Sequence, residues 1–150
     1  MALAAARRKG PVPVGVAGRA ALPPTRVARV VRAVLGAERR GRRVGSMQVT
    51  FLTRPAMARL HQEWKHKAGP TDVLSFALAA PDGTIAGDVY ICPAVARAQA
   101  REFGVPAAEE LLRLVIHGTL HVLGYDHPEG AGRTRSAMWR RQEGHLTRFG

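Results

Sequence analysis

The sequence predicts a mixed α+β domain rather than a doubly wound parallel sheet. Strand-like and helix-like apolar patterns are interspersed along the chain, and one pair of strands is joined by a short turn, so it must run antiparallel. The chain has 150 residues, 46% of them hydrophobic and 23% charged, which is enough for one buried core. Residues 1–150 therefore read as a single domain, with no repeat and no linker. No apolar run is long enough to span a bilayer. The one cysteine, Cys92, excludes an internal disulfide framework and a thiolate zinc site.

The elements follow in order. Val12, Val14 and Val16 alternate as a strand does. Pro23-Pro24-Thr25 opens a helix carrying Val27, Val30, Val31, Val34 and Leu35, with Gly36 as its stop. Met47, Val49 and Phe51 line one face of a second strand. Thr53 caps a helix over 54–64, with Pro55 in its first turn, where proline is tolerated. Val73-Leu74-Ser75-Phe76 is a compact strand, Pro81-Asp82-Gly83-Thr84 a turn, and Ile85 to Ile91 the hairpin partner. Pro93 and Pro106 start the next two helices, the second ending at Gly124 as a left-handed cap. A weaker helix is expected over 134–149.

The net charge of +12 is unevenly spread. Residues 1–43 hold 11 of the 23 basic groups against one acid, Glu38. Such an asymmetry suits a polyanion, most simply nucleic acid. The basic, acid-free start resembles a transit peptide, but the strand and helix periodicities over 12–35 mark those residues as part of the fold. Only residues 1–10 read as a loose basic arm.

Chemistry is concentrated in His117-Gly118-Thr119-Leu120-His121-Val122-Leu123-Gly124-Tyr125-Asp126-His127. His117 and His121 stand four apart on a helix, so both imidazoles leave one face. Gly124 permits a sharp turn that folds His127 back toward them. Three neutral nitrogen donors around one point suit zinc, with water in the fourth position. Neutral ligands leave the full metal charge to lower the pKa of that water toward ~7. Gly118 occupies the place where a zincin protease carries its glutamate base, so peptide hydrolysis by that route is excluded.

This stretch resembles the H-G-x-L-H-L-x-G-Y-D-H pattern of the YbeY family, departing only at Val122. Pro70-Thr71-Asp72-Val73-Leu74-Ser75-Phe76 and Gly87-Asp88-Val89-Tyr90-Ile91-Cys92-Pro93 are similar to two further family segments, in the same order. The resemblance implies a small, mostly parallel sheet packed with helices and one Zn2+ held by His117, His121 and His127. It implies a single-strand-specific, zinc-dependent endoribonuclease of the cytoplasm. Such an enzyme acts in 3′-end maturation of 16S rRNA and in ribosome quality control. The implied partners are rRNA of the small ribosomal subunit, ribosomal proteins and an assembly GTPase, with no membrane. Lys65 stands where relatives commonly carry an arginine; it keeps the charge and loses the bidentate fork. Basic residues also fill a tail that is acidic in relatives.

Lys65 is thus the candidate for holding a phosphate and stabilising developing charge, with Ser75 as a second substrate contact. Asp126 has two readings: orienting an imidazole or moving a proton, against bonding its own backbone in the turn. Cys92 reads as a small buried hydrophobe, His61 and His66 as histidines on a helix surface and a loop, and His145 as a tail histidine with no partner signal. Aromatics make up only 5%, so no base-stacking platform is evident and RNA contact should be charge-led and salt-sensitive. The competing function is a non-catalytic ribosome assembly factor with a structural zinc. A metallohydrolase acting on another substrate comes third.

Overall fold

The computed structural model describes residues 11–38 and 42–150; the expected basic arm at 1–10 lies outside them. The described residues form β1 (Val14–Ala17), α1 (Pro24–Ala37), β2 (Val44–Phe51), α2 (Arg54–Lys65), β3 (Val73–Ala79), β4 (Ile85–Ile91), α3 (Pro93–Phe103), α4 (Ala107–Val122), a 3₁₀ segment (Gly130–Arg135) and α5 (Ala137–Phe149). The four strands form one sheet in the order β1-β2-β4-β3. β1, β2 and β4 are parallel, and β3 returns antiparallel along β4 as the hairpin requires. The sheet is therefore mixed and mostly parallel, as the resemblance implied.

Side-chain alternation sorts the two sheet faces. Met47, Val49, Ile85, Val89 and Ile91 are buried in the main core with Val27, Val30, Val31 and Val34 of α1. Those four valines recur at helical spacing, and burying each stabilises the fold by about 1.5–3 kcal/mol. On the other face α2 lays Met57 and Leu60 against Leu74, Phe76, Tyr90 and Cys92. Cys92 is indeed a buried hydrophobe.

Helix α4 is buried almost all round, from Leu111 to Val122. Two glycines let it approach the sheet. A Cβ on Gly118 would meet Val89 Cγ1 at 2.5 Å, and one on Gly87 would meet Met47 Sδ at 2.5 Å and Val122 Cγ1 at 2.6 Å. The position that a zincin gives to a glutamate is here pressed against a strand.

Several boundaries differ from the sequence reading: β3 runs on from Phe76 to Ala79 and α2 one residue further to Lys65. β1 begins at Val14, because Val12 instead offers its carbonyl to Arg32 Nε at 3.0 Å. Gly36 does not stop α1, which continues to Ala37 and ends at Glu38. The tail helix starts at Ala137, where Ser136 Oγ accepts the Trp139 N–H, and residues before it form the 3₁₀ segment. A serine cap outweighs the weak apolar pattern at 134–136.

Candidate metal centre

His117 and His121 lie in the last turns of α4, and Gly124 follows at φ +100°, which only glycine adopts freely. The turn brings His127 back over the helix. Its ring centroid stands 5.1 Å from that of His117 and 5.0 Å from that of His121. One nitrogen from each of the three lies within 4.8 Å of the others.

Hydrogen bonds fix the tautomers. His117 Nδ1 faces Gln142 Oε1 at 2.6 Å, His121 Nδ1 faces the Tyr125 carbonyl at 2.9 Å, and His127 Nδ1 faces the Pro128 carbonyl at 3.0 Å. Each partner is an acceptor, so each Nδ1 donates and each Nε2 is left as a lone pair. The His121 and His117 Nε2 atoms are then only 3.1 Å apart. Two bare lone pairs at that separation repel unless a cation sits between them. Tetrahedral zinc holds its nitrogen ligands at roughly 2.0–2.1 Å, which sets them about 3.3 Å apart. The donor set fits zinc.

The electrostatics keep the site neutral. Burial lowers the His117 pKa to about 4, with the charges of His121, Arg133 and His127 acting the same way and the Gln142 bond opposing. Burial also lowers His121, followed by the charge of His127. Both imidazoles are thus held unprotonated, as metal ligation requires. In the metal-free protein, the unfolded chain binds a proton near the ordinary value of 6.5 that folded His117 refuses until about pH 4. Stability is accordingly full above 6.5 and declines as the pH falls toward 4. Urea melts of chelated protein are expected to lose about 2 kcal/mol between pH 6.5 and about pH 5, above the carboxylate range. Equal melts at the two pH values would contradict neutral burial.

The other candidates are placed as follows. Ser75 is half-buried on β3, its Oγ 3.1 Å from where a Gly118 Cβ would stand, one residue from His117. Lys65 is exposed at the end of α2, and its side chain makes no hydrogen bond or ion pair among the described residues. Asp126 is exposed, and its Oδ1 accepts the His127 N–H at 2.8 Å, the backbone role weighed above. The atoms that orient the imidazoles are Gln142 Oε1 and two carbonyls instead.

The sequence reading passed over four features. Gln142 is buried and unremarkable by type; only its place on α5 gives it a role. His145, which carries no partner signal in the sequence, has one in the fold: its Nε2 meets Glu38 Oε1 at 2.6 Å, and Glu38 also accepts the Tyr125 hydroxyl at 2.7 Å and Arg141 at 3.2 Å. Trp64, Phe76 and Tyr90 form an aromatic ladder with centroids 5.4 and 5.9 Å apart, Trp64 being 59% exposed. Finally, Arg133 lies beside the triad and lines a cavity with His117. No helix among the described residues is long and apolar enough to cross a membrane.

The sequence profile of the family described as "Endoribonuclease YbeY" matches residues 20–150. A protein of that name from Beutenbergia cavernae is 47% identical over 92 residues, 55% of this chain and 61% of that one. One from Kineococcus radiotolerans is 41% identical over 112 residues, 69% of this chain and 64% of that one. Another from Thermobifida fusca is 42% identical over 113 residues, 69% and 72% of the two chains. The matched segment thus spans about three fifths of the first two relatives. The solution structure of TM1509 from Thermotoga maritima superposes with a TM-score of 0.55 at 28% identity, covering 89% of this chain and 86% of that one.

Proposed function

Because the chain belongs to the endoribonuclease YbeY family, we propose that it is a zinc-dependent endoribonuclease acting on single-stranded RNA. The observation that carries this reading is the convergence of three acceptor-fixed imidazoles on one point. When bound there, zinc supplies a Lewis acid for a phosphodiester oxygen and lowers the pKa of water. Every remaining task falls to the chain. His117, His121 and His127 present their Nε2 lone pairs. Lys65, exposed and unpaired among the described residues, attracts the RNA backbone. The Ser75 hydroxyl beside Gly118 donates to a substrate oxygen. Asp126 holds the His127 amide and offers a carboxylate, one residue from a ligand, to accept a proton.

The same reading extends to the cell. The substrate is small-subunit rRNA near its 3′ end, and the partners are ribosomal proteins and an assembly GTPase in the cytoplasm. A net charge of +12 fits contact with rRNA.

Cleavage of an end-labelled RNA with a single-stranded 3′ extension tests the proposal. Zinc-loaded protein is expected to cut it, chelated protein to lose the activity, and added zinc to restore it. Product ends then identify the nucleophile: a cyclic phosphate implies attack by the RNA's own 2′-hydroxyl. Tight RNA binding without metal-dependent cleavage would sink the nuclease and leave an assembly factor with a structural zinc.

A further inference from the structure

A cavity of about 420 Å³ runs along α4 from His117 toward the helix N-terminus. Leu114 and His117 form part of its wall, Phe103 and Val105 close one side, Trp139 of α5 contributes another, and Arg133 comes in from the 3₁₀ segment. Its volume lies in the range that encloses small ligands, about 300–1,000 Å³.

Two properties say what it takes. The hydrophobic part of the wall includes two aromatic rings, Phe103 and Trp139, which suits a flat ring system. The charged groups are nearly all spoken for. Arg113 bonds Glu110 at 2.7 Å and Glu143 at 3.1 Å, and Asp72 accepts the Val73 N–H, the Thr71 hydroxyl and the Gln99 amide. Arg133 Nε, by contrast, is buried and has no hydrogen-bond partner among the described residues. A buried donor without an acceptor is costly, so this one marks where a ligand's acceptor belongs. The ligand is therefore an anion attached to a flat ring.

We infer that this cavity is the subsite for one nucleotide unit of the RNA strand, its base against Trp139 and its phosphate on Arg133. The inference rests on the nuclease reading and adds where the strand lies. His117 is at once a wall of the cavity and a corner of the triad, so a phosphate held at Arg133 enters the metal centre directly. Arg133 supplies the guanidinium that Lys65 lacks, and its planar fork can hold a phosphate bidentately.

The test is binding of adenosine and uridine 5′-monophosphates, ribose 5-phosphate and inorganic phosphate to the zinc-loaded full chain. The readout for every variant is the dissociation constant from isothermal titration calorimetry; in chains that keep Trp139, its indole NMR signal, assigned with Trp64→Phe, locates the ligand. Nucleotides should bind at least about tenfold more tightly than ribose 5-phosphate, since base stacking supplies that much. Trp139→Ala should weaken nucleotides about tenfold and leave ribose 5-phosphate unchanged. Arg133→Gln should weaken both by about tenfold. Val105→Trp, which fills the slot and leaves Arg133 in place, should abolish nucleotide binding. One zinc per chain in each variant shows that the triad is intact, and Val105→Trp decides the matter if another variant loses it.

Equal affinity for ribose 5-phosphate and nucleotide, no nucleotide binding to wild type, or indifference to all three substitutions would overturn the subsite. RNA cleavage that persists in those cases would leave the nuclease reading standing. The predicted binding pattern without any RNA cleavage would do the reverse.

Discussion

His121→Ala is expected to cut metal-dependent RNA cleavage by at least ~100-fold while RNA affinity, measured at the same salt, stays within about twofold. The two effects separate because different parts of the molecule carry them. On the proposed reading binding is charge-led, and the substitution leaves the +12 net charge untouched. Cleavage needs the third nitrogen, since two imidazoles do not hold zinc in competition with water and buffer. The variant should fold well. His121 is half-buried, and in the metal-free protein its Nε2 opposes that of His117 at 3.1 Å, so its removal relieves a repulsion. Gln142→Leu is the graded counterpart. It leaves all three ligands in place but orphans the His117 Nδ1–H, and zinc affinity should drop about 10- to 100-fold. Cleavage by His121→Ala at the wild-type rate would show that the triad is not the reacting centre.

Why the triad could be read in advance is a matter of locality. Its three ligands fall within eleven residues, and the geometry that joins them is one helical turn plus one glycine at φ +100°. Periodicity and turn chemistry suffice for such a site. The same holds for α1, whose valines recur at helical spacing, and for the hairpin, whose turn is written in Pro81-Asp82-Gly83-Thr84.

What lay out of reach is non-local. Gln142 meets His117 across 25 residues, and Glu38 meets Tyr125 across 87 and His145 across 107. Nothing in a single chain marks such pairs. Composition is also silent on grouping: aromatics make up only 5%, yet three of the rings are gathered in one ladder of tilted and edge-on pairs. An average over 150 residues says little about where a handful of side chains meet. The end of α1 was misplaced for a similar reason. A glycine near a helix end stops it only when a left-handed residue is needed there, and α1 instead runs on to deliver Glu38 into the core.

That delivery supports the second large effect. Glu38→Ala is expected to destabilise the protein by about 3 kcal/mol, read from urea melts at pH 7. The Glu38 side chain is 2% exposed and accepts bonds from the Tyr125 hydroxyl, His145 and Arg141. Burial pushes its pKa up, but those three partners together outweigh burial and hold the carboxylate below its ordinary value. The contribution is therefore present at neutral pH and is lost as the pH falls through the folded value. Arg141 can turn to water once the carboxylate is gone, being 47% exposed, whereas His145 at 13% and the Tyr125 hydroxyl lose the acceptor they share. Tyr125 links this cluster to the metal centre, because its carbonyl accepts the His121 Nδ1–H. Zinc affinity should consequently weaken about tenfold in the same variant. Glu38→Gln, which keeps an acceptor for the tyrosine and loses the charge, should fall between the two on both measures. A destabilised Glu38→Ala that still binds zinc as wild type does would confine the cluster to holding α5 and the end of α1 together, with no hand in orienting His121.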